Sequence, residues 1–173
     1  MTENIVLIGM PGAGKSTIGV LLAKQLYMDF IDTDILIQNH AQRRLHEVIV
    51  EEGTEAFLLL EEKVITSIKA TRTVIATGGS VPYSERSMKH LKKSGLVVLL
   101  DAPLMTLRNR LGNLVSRGVI FSSGHTLSEL YEERQPLYQR YADVHIDCAQ
   151  LDQQQIADAI AGNLAMRQKH DAS

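Results

Sequence analysis

The chain has 173 residues, enough for one domain with a sizeable core, and its 45% hydrophobic and 22% charged content excludes a disordered or fibrous protein. A net charge of −2 excludes a nucleic-acid binder working by bulk electrostatics. Apolar runs such as Gly95 to Leu100 fall far short of the roughly 20 residues of a membrane span, so no membrane partner is expected.

Asn4 to Gly9, NIVLIG, is a β-branched run closed by glycine, and Ile18, Leu21, Leu22 and Leu26 behind it have helical spacing, so the chain opens as strand, loop, helix. The N-terminal MTENIVLIGMPG has no basic region and no cleavage site, so no signal peptide is expected. MDFIDTD is strand-like into Asp32, and the chain is then helix-rich to about Ala70 with a break at Gly53. Within that helix lies EAFLLLEEKV, Glu55 to Val64, where Leu59 and Leu60 are expected in the core. TVIATGG reads as a buried strand, SERSMKHLKKSG as a helix ending at Gly95, LVVLLDAP as a strand closed by Pro103, and LMTLRNRLGN as a helix. Residues 113–126 have glycine, serine and no sustained period, the pattern of a mobile loop. Thr126 with Glu129 forms a capping-box pattern that restarts a helix; VHID is a final strand, QQIADAIAGNLAMR a closing helix, and KHDAS a tail expected to fray. Strands alternating with helices predict a single α/β domain, 1–173, with a parallel sheet covered on both faces, a helical insertion at 33–61 and a loop at 112–126.

GMPGAGKS, Gly9 to Ser16, fits G-x-x-x-x-G-K-[ST] between a predicted strand and a predicted helix. Glycines let the backbone fold back, so that N–H groups across Gly12, Ala13, Gly14, Lys15, Ser16 and Thr17 face phosphate oxygens. Lys15 adds positive charge at the β and γ phosphates, and Ser16 can ligate Mg²⁺. Nucleoside triphosphate binding follows, and a plain strand-to-helix turn is the weaker reading.

Asp32 and Asp34 stand at the end of the second strand, where open α/β sheets bind ligands. One carboxylate suits the metal's water shell and the other an attacking hydroxyl; either also suits a helix N-cap. Gly78, Gly79 and Ser80 follow the next strand on the same edge, as a ligand-approach loop or a simple turn. Arg110 and Arg117 flank the loop, within reach of phosphate on closure or else solvated. Arg134 lies beside Glu132 and Glu133, where a surface ion pair is the plainer role, and Tyr138 and Tyr141 have the spacing of packing residues. The six histidines show no metal-ligand spacing with each other or with Cys148. That single cysteine precludes an intrachain disulfide and fits a reducing, cytoplasmic compartment.

The ordered set GMPGAGKS, FIDTD, the glycine pair after the third strand, an arginine-bearing lid and ERQPLYQRYAD resembles the shikimate kinases over residues 4 to about 165. The resemblance implies a three-layer α/β sandwich of the P-loop kinase, nucleoside-monophosphate-kinase-like type, with a five-stranded parallel sheet, a helical substrate-binding insertion and a lid. It implies ATP and Mg²⁺ as cofactors, a small-molecule hydroxyl acceptor, and a monomer. By it, Lys15, Asp34 and Arg117 are catalytic, Ser16 and Asp32 serve the metal, and Arg110 lies on the adenine side. Asp34, Gly78, Gly79, Ser80 and Arg134 meet the substrate.

Three positions depart from the family pattern. Leu58 stands where the family has an arginine on the substrate carboxylate, Ser80 replaces a third glycine, and Arg117-Gly118-Val119-Ile120 replaces Arg-Pro-Leu-Leu in the lid. The first expectation is ATP-dependent phosphorylation of shikimate. The alternatives are a kinase of another small hydroxylated metabolite, or a nucleotide-binding module without shikimate kinase activity; a nucleoside monophosphate kinase would need more arginines around its acceptor phosphate.

Overall fold

The computed structural model describes residues 4–115 and 126–171. Its first strand, Asn4–Ile8 (β1), is buried at every position, as a strand covered on both faces must be. A glycine-rich turn leads to helix Lys15–Leu26 (α1), which ends where Tyr27 adopts a left-handed φ of 55°. Asp29–Asp32 (β2) runs into Thr33–Ala41 (α2), and Leu45–Ser67 (α3) follows. The expected interruption at Gly53 is a kink inside α3, with φ 88° and ψ 167°. A second interruption, at Gln42 with φ 55°, has no glycine or proline to announce it.

Thr73–Ala76 (β3) is followed by a 3₁₀ turn at Val81–Tyr83 and by Glu85–Ser94 (α4), whose N-cap Ser84 accepts from the Ser87 N–H at 3.0 Å. Gly95–Asp101 (β4), Leu104–Val115 (α5), Leu127–Tyr141 (α6), Val144–Asp147 (β5) and Gln153–Asp171 (α7) complete the chain. The capping box at α6 forms as its sequence predicts: the Glu129 carboxylate accepts from the Thr126 N–H at 2.7 Å. The tail expected to fray is helical through Asp171, because α7 continues without a breaker.

All strand pairings are parallel, in the order β2-β3-β1-β4-β5, so the five-stranded parallel sheet is as expected. β1 is flanked by β3 and β4, with Ile5 opposite Val74 on one side and Leu96 on the other. Right-handed crossovers carry α1 toward β2 on one face and α3 and α4 back across the other. The contacts agree: α1 packs on α7, and α3 on α4. The main core lies along β1, β3 and β4, and a small second one joins Ile37, Val48, Phe57 and Val64 between α2 and α3. Leu58 and Leu60 pack against this second core, but Leu59 is 64% exposed, contrary to expectation, since the helical turn points it away. No described helix is long and apolar enough to cross a membrane.

Candidate active site

Because the strands are parallel, the segments leaving β1, β2 and β3 open on one edge of the sheet. The turn after β1 uses positive φ at Gly9, Gly12 and Gly14, values that glycine adopts without steric cost. Among the described residues, the N–H groups of Gly14, Lys15, Ser16 and Thr17 have no acceptor, so four donors at the start of α1 are left unpaired. The Lys15 ammonium folds back over the turn and donates to the carbonyls of Gly9 at 2.7 Å and Met10 at 2.9 Å. Its burial pushes the pKa from 10.5 down to about 8, Asp34 and Asp32 pulling up and Arg134 pushing down. Arg110 braces the turn from α5, donating to the carbonyls of Gly12 and Ala13, each at 3.2 Å.

Asp32 caps α2: one carboxylate oxygen accepts from the N–H groups of Asp34 at 2.9 Å and Ile35 at 3.4 Å. Capping leaves its second oxygen without a protein partner among the described residues, so the cap does not use up both oxygens. Thr33, fully buried, accepts the Gly78 N–H at 3.0 Å and so ties the ends of β2 and β3 together. Asp34, on the first turn of α2, has its pKa raised by burial and by Asp32, opposed by Lys15.

The loop after β3 is wedged between these groups. A methyl on Gly78 would meet Glu61 Oε1 at 2.7 Å and Asp34 Oδ1 at 2.9 Å, and one on Gly79 would meet Pro11 Cδ at 2.8 Å and Arg134 Nη1 at 3.1 Å. The loop therefore has both carboxylates on one side and the first turn's proline and an arginine on the other. Arg134 is buried rather than paired on the surface with Glu132 or Glu133. It donates to the Tyr83 hydroxyl at 3.1 Å and lies 5.2 Å from that ring's centre. Tyr138, expected only to pack, is fully buried and also donates to the Gly79 carbonyl at 2.7 Å. Ser80 donates to Glu61, at 2.9 Å from Oε1 and 2.8 Å from Oε2.

The sequence expectations thus converge for Lys15, Asp32, Asp34, Gly78, Gly79, Ser80 and Arg134, while Ser16 and Thr17 stand exposed at the start of α1. Arg117 and most of the expected lid lie outside the described residues. Glu61, Thr33, Tyr83 and Tyr138 were not anticipated. Glu61 sits in a Glu-Glu-Lys run that reads as a solvated helix face, yet it is 2% exposed. Tyr138 did carry a signal: it is one helical turn beyond Arg134, on the same face.

The family model of shikimate kinase matches residues 11–165. The chain belongs to the shikimate kinase family. It is 33% identical to shikimate kinase 2 of Enterobacter sp. (strain 638), covering 92% of this chain and 95% of that one. It is 40% identical to shikimate kinase of Microcystis aeruginosa over 86% of this chain and 79% of that one. A solved shikimate kinase from Acinetobacter baumannii, in complex with shikimate, superposes with a TM-score of 0.87 at 30% identity, covering 96% of this chain and 95% of that one. Membership of the shikimate kinases makes the chain an ATP-dependent small-molecule kinase with a hydroxyl acceptor. Nothing in these likenesses favours a module without kinase activity.

Proposed function

We propose that the chain phosphorylates shikimate, with ATP on the turn after β1 and the acceptor between Asp34, the Gly78–Ser80 loop and Arg134. The observation that carries this reading is the wedging of Gly78 between two carboxylates and of Gly79 against Arg134 and Pro11, which sets an acceptor loop directly beside the phosphate turn. Arg134 supplies a guanidinium for the acceptor carboxylate, and the N–H groups of Gly79 and Ser80, which have no acceptor among the described residues, face it as further donors.

In the reaction the acceptor hydroxyl oxygen bonds to the γ-phosphorus as the bond from that phosphorus to the β–γ bridging oxygen breaks, leaving ADP. The hydroxyl proton passes to Asp34, whose carboxyl is held above the usual range by burial and therefore takes a proton readily. Lys15, still largely an ammonium at neutral pH, neutralises charge on the transferring group. Mg²⁺ fits the donors present: the Ser16 hydroxyl is exposed, and among the described residues neither it nor the second Asp32 carboxylate oxygen has a partner. When bound, the ion neutralises β and γ oxygens. We assign Arg117 to the transferred phosphate and Arg110 to the adenine side, the latter consistent with its bracing of the phosphate turn. We further read residues 1–173 as one catalytic domain that works as a monomer.

A second reading, a different and less acidic hydroxylated acceptor, is favoured by Leu58, which puts an apolar side chain on the second core where a cation would serve a carboxylate. ADP release measured with shikimate and a panel of other hydroxyl acceptors separates the two. Turnover restricted to shikimate supports the first reading; a preferred neutral acceptor supports the second; no acceptor-dependent ADP release overturns both. Lys15→Ala is expected to abolish turnover on every acceptor, and activity surviving it would sink the phosphate-site assignment.

A further inference from the structure

Glu61 is a buried carboxylate inside the acceptor site, and the described residues give it one hydrogen-bond partner, the Ser80 hydroxyl, which spans both of its oxygens. Asp34 on α2 faces it as a second carboxylate, with Lys15 on α1 beyond, while Arg134 and Tyr138 face it from α6. Leu58 lies three residues before it on the same face of α3, so the position from which a helix neighbour would pair with Glu61 is apolar. The two departures from the family pattern on the substrate side, Leu58 and Ser80, therefore both bear on one carboxylate.

We propose that Ser80 is a positioning residue that latches the acceptor loop to Glu61, a carboxylate that the apolar Leu58 one turn before it leaves without a cation on its own helix. The latch acts on the loop from α3 as Thr33 does from α2 and Tyr138 does from α6: three bonds hold three successive residues, through the Gly78 N–H, the Gly79 carbonyl and the Ser80 hydroxyl. Fixing these residues aims the free N–H groups of Gly79 and Ser80 at the acceptor. Burial lifts Glu61 to about 7, the Ser80 bond opposing the rise, Asp34 adding to it and Arg134 opposing it, so Ser80 keeps the carboxylate closer to its ionised form. The effect on the acceptor rests on the kinase reading above; the pairing of Ser80 with Glu61 does not.

Two measurements on the full chain test this. Carbon-detected NMR titration of the Glu61 carboxyl, without ligands, should show a higher midpoint in Ser80→Ala and a lower one in Leu58→Arg, where a guanidinium stands one turn away. Steady-state kinetics of Ser80→Ala should show the KM for shikimate raised on the order of 5-fold, the KM for ATP unchanged, and the penalty reduced in Leu58→Arg/Ser80→Ala. An unchanged Glu61 midpoint in Ser80→Ala overturns the inference whatever acceptor is used. So do equal rises in both KM values, or a penalty undiminished by Leu58→Arg. Absence of ADP release with shikimate in the unsubstituted chain overturns the acceptor assignment instead, and the Glu61 midpoints then decide the latch alone.

Discussion

The Thr33 hydroxyl accepts the Gly78 N–H at 3.0 Å, a buried bond that joins the start of α2 to the loop after β3. Asp34, one residue on, thereby keeps its place against that loop. Thr33→Val preserves shape and removes the acceptor, leaving a buried N–H unpaired at about 1–3 kcal/mol. For a chain of this size that lowers Tm by roughly 3–10 °C. With the acceptor against this loop as proposed, the KM for the acceptor should rise while that for ATP holds, which thermal melts and two-substrate kinetics will read. Equal loss of both would mean that Thr33 supports the fold as a whole.

Lys15 carries opposed demands. Its pKa in the folded chain is about 8, below the ordinary 10.5, so the folded state holds fewer protons than the unfolded one between those values. The stability of the ligand-free protein should therefore gain from this group as pH rises from about 8 to 10.5. In the proposed nucleotide site ATP needs the ammonium, so its affinity should fall above pH 8, by up to about tenfold per unit. Lys15→Met should abolish ATP binding while raising Tm at pH 7, because it removes a buried charge. Calorimetric titration and melts across pH 7 to 10 are the checks.

Glu61 has the opposite sign. Its pKa is raised to about 7, so the folded state holds more protons than the unfolded one between 4.5 and 7, and stability from this group is lost as pH rises through that window. Glu61→Gln keeps an oxygen for the Ser80 hydroxyl and removes the charge. It should be more stable than the unsubstituted chain by about 3 kcal/mol at pH 8, or roughly 10 °C in Tm, with the gap closing toward pH 5. The groups that face Glu61, namely Asp34, Lys15, Arg134, Tyr138 and Ser80, are untouched by the change. A gap independent of pH would mean that folding does not raise the Glu61 pKa.

Much of this architecture was legible in the sequence because it is written in local patterns. The apolar run Asn4–Ile8, the glycines of the phosphate turn and the Thr126–Glu129 capping box each fix one element by neighbours a few residues apart. The carboxylates of Asp32 and Asp34 were legible for the same reason, since one ends a strand and the other opens the helix behind it. What stayed hidden depends on contacts across long stretches of chain. Glu61 meets Ser80 nineteen residues on, and Tyr138 meets Gly79 fifty-nine residues back. Glu61 and Arg134 look like solvated helix charges until the fold buries them. The turn at Gln42 was missed because a left-handed residue that is neither glycine nor asparagine leaves no compositional mark.

Gly79 shows how closely the two halves of the site are fitted. A methyl group there would stand 2.8 Å from Pro11 Cδ, on the phosphate turn, and 3.1 Å from Arg134 Nη1, on the acceptor side. Pro11 is a rigid ring next to a backbone held by Arg110, and Arg134 is fixed by Tyr83, so neither neighbour yields freely. Gly79→Ala should thus push the acceptor loop away from both, stretching the Tyr138 bond to the Gly79 carbonyl. Overpacking of this kind costs about 1–3 kcal/mol. Unlike Ser80→Ala, this change should raise the KM for ATP as well as for the acceptor and lower kcat, because it alters the spacing between the two sites rather than one wall. Two-substrate kinetics distinguish these patterns: a rise confined to the acceptor would mean that the loop moves without disturbing the phosphate turn.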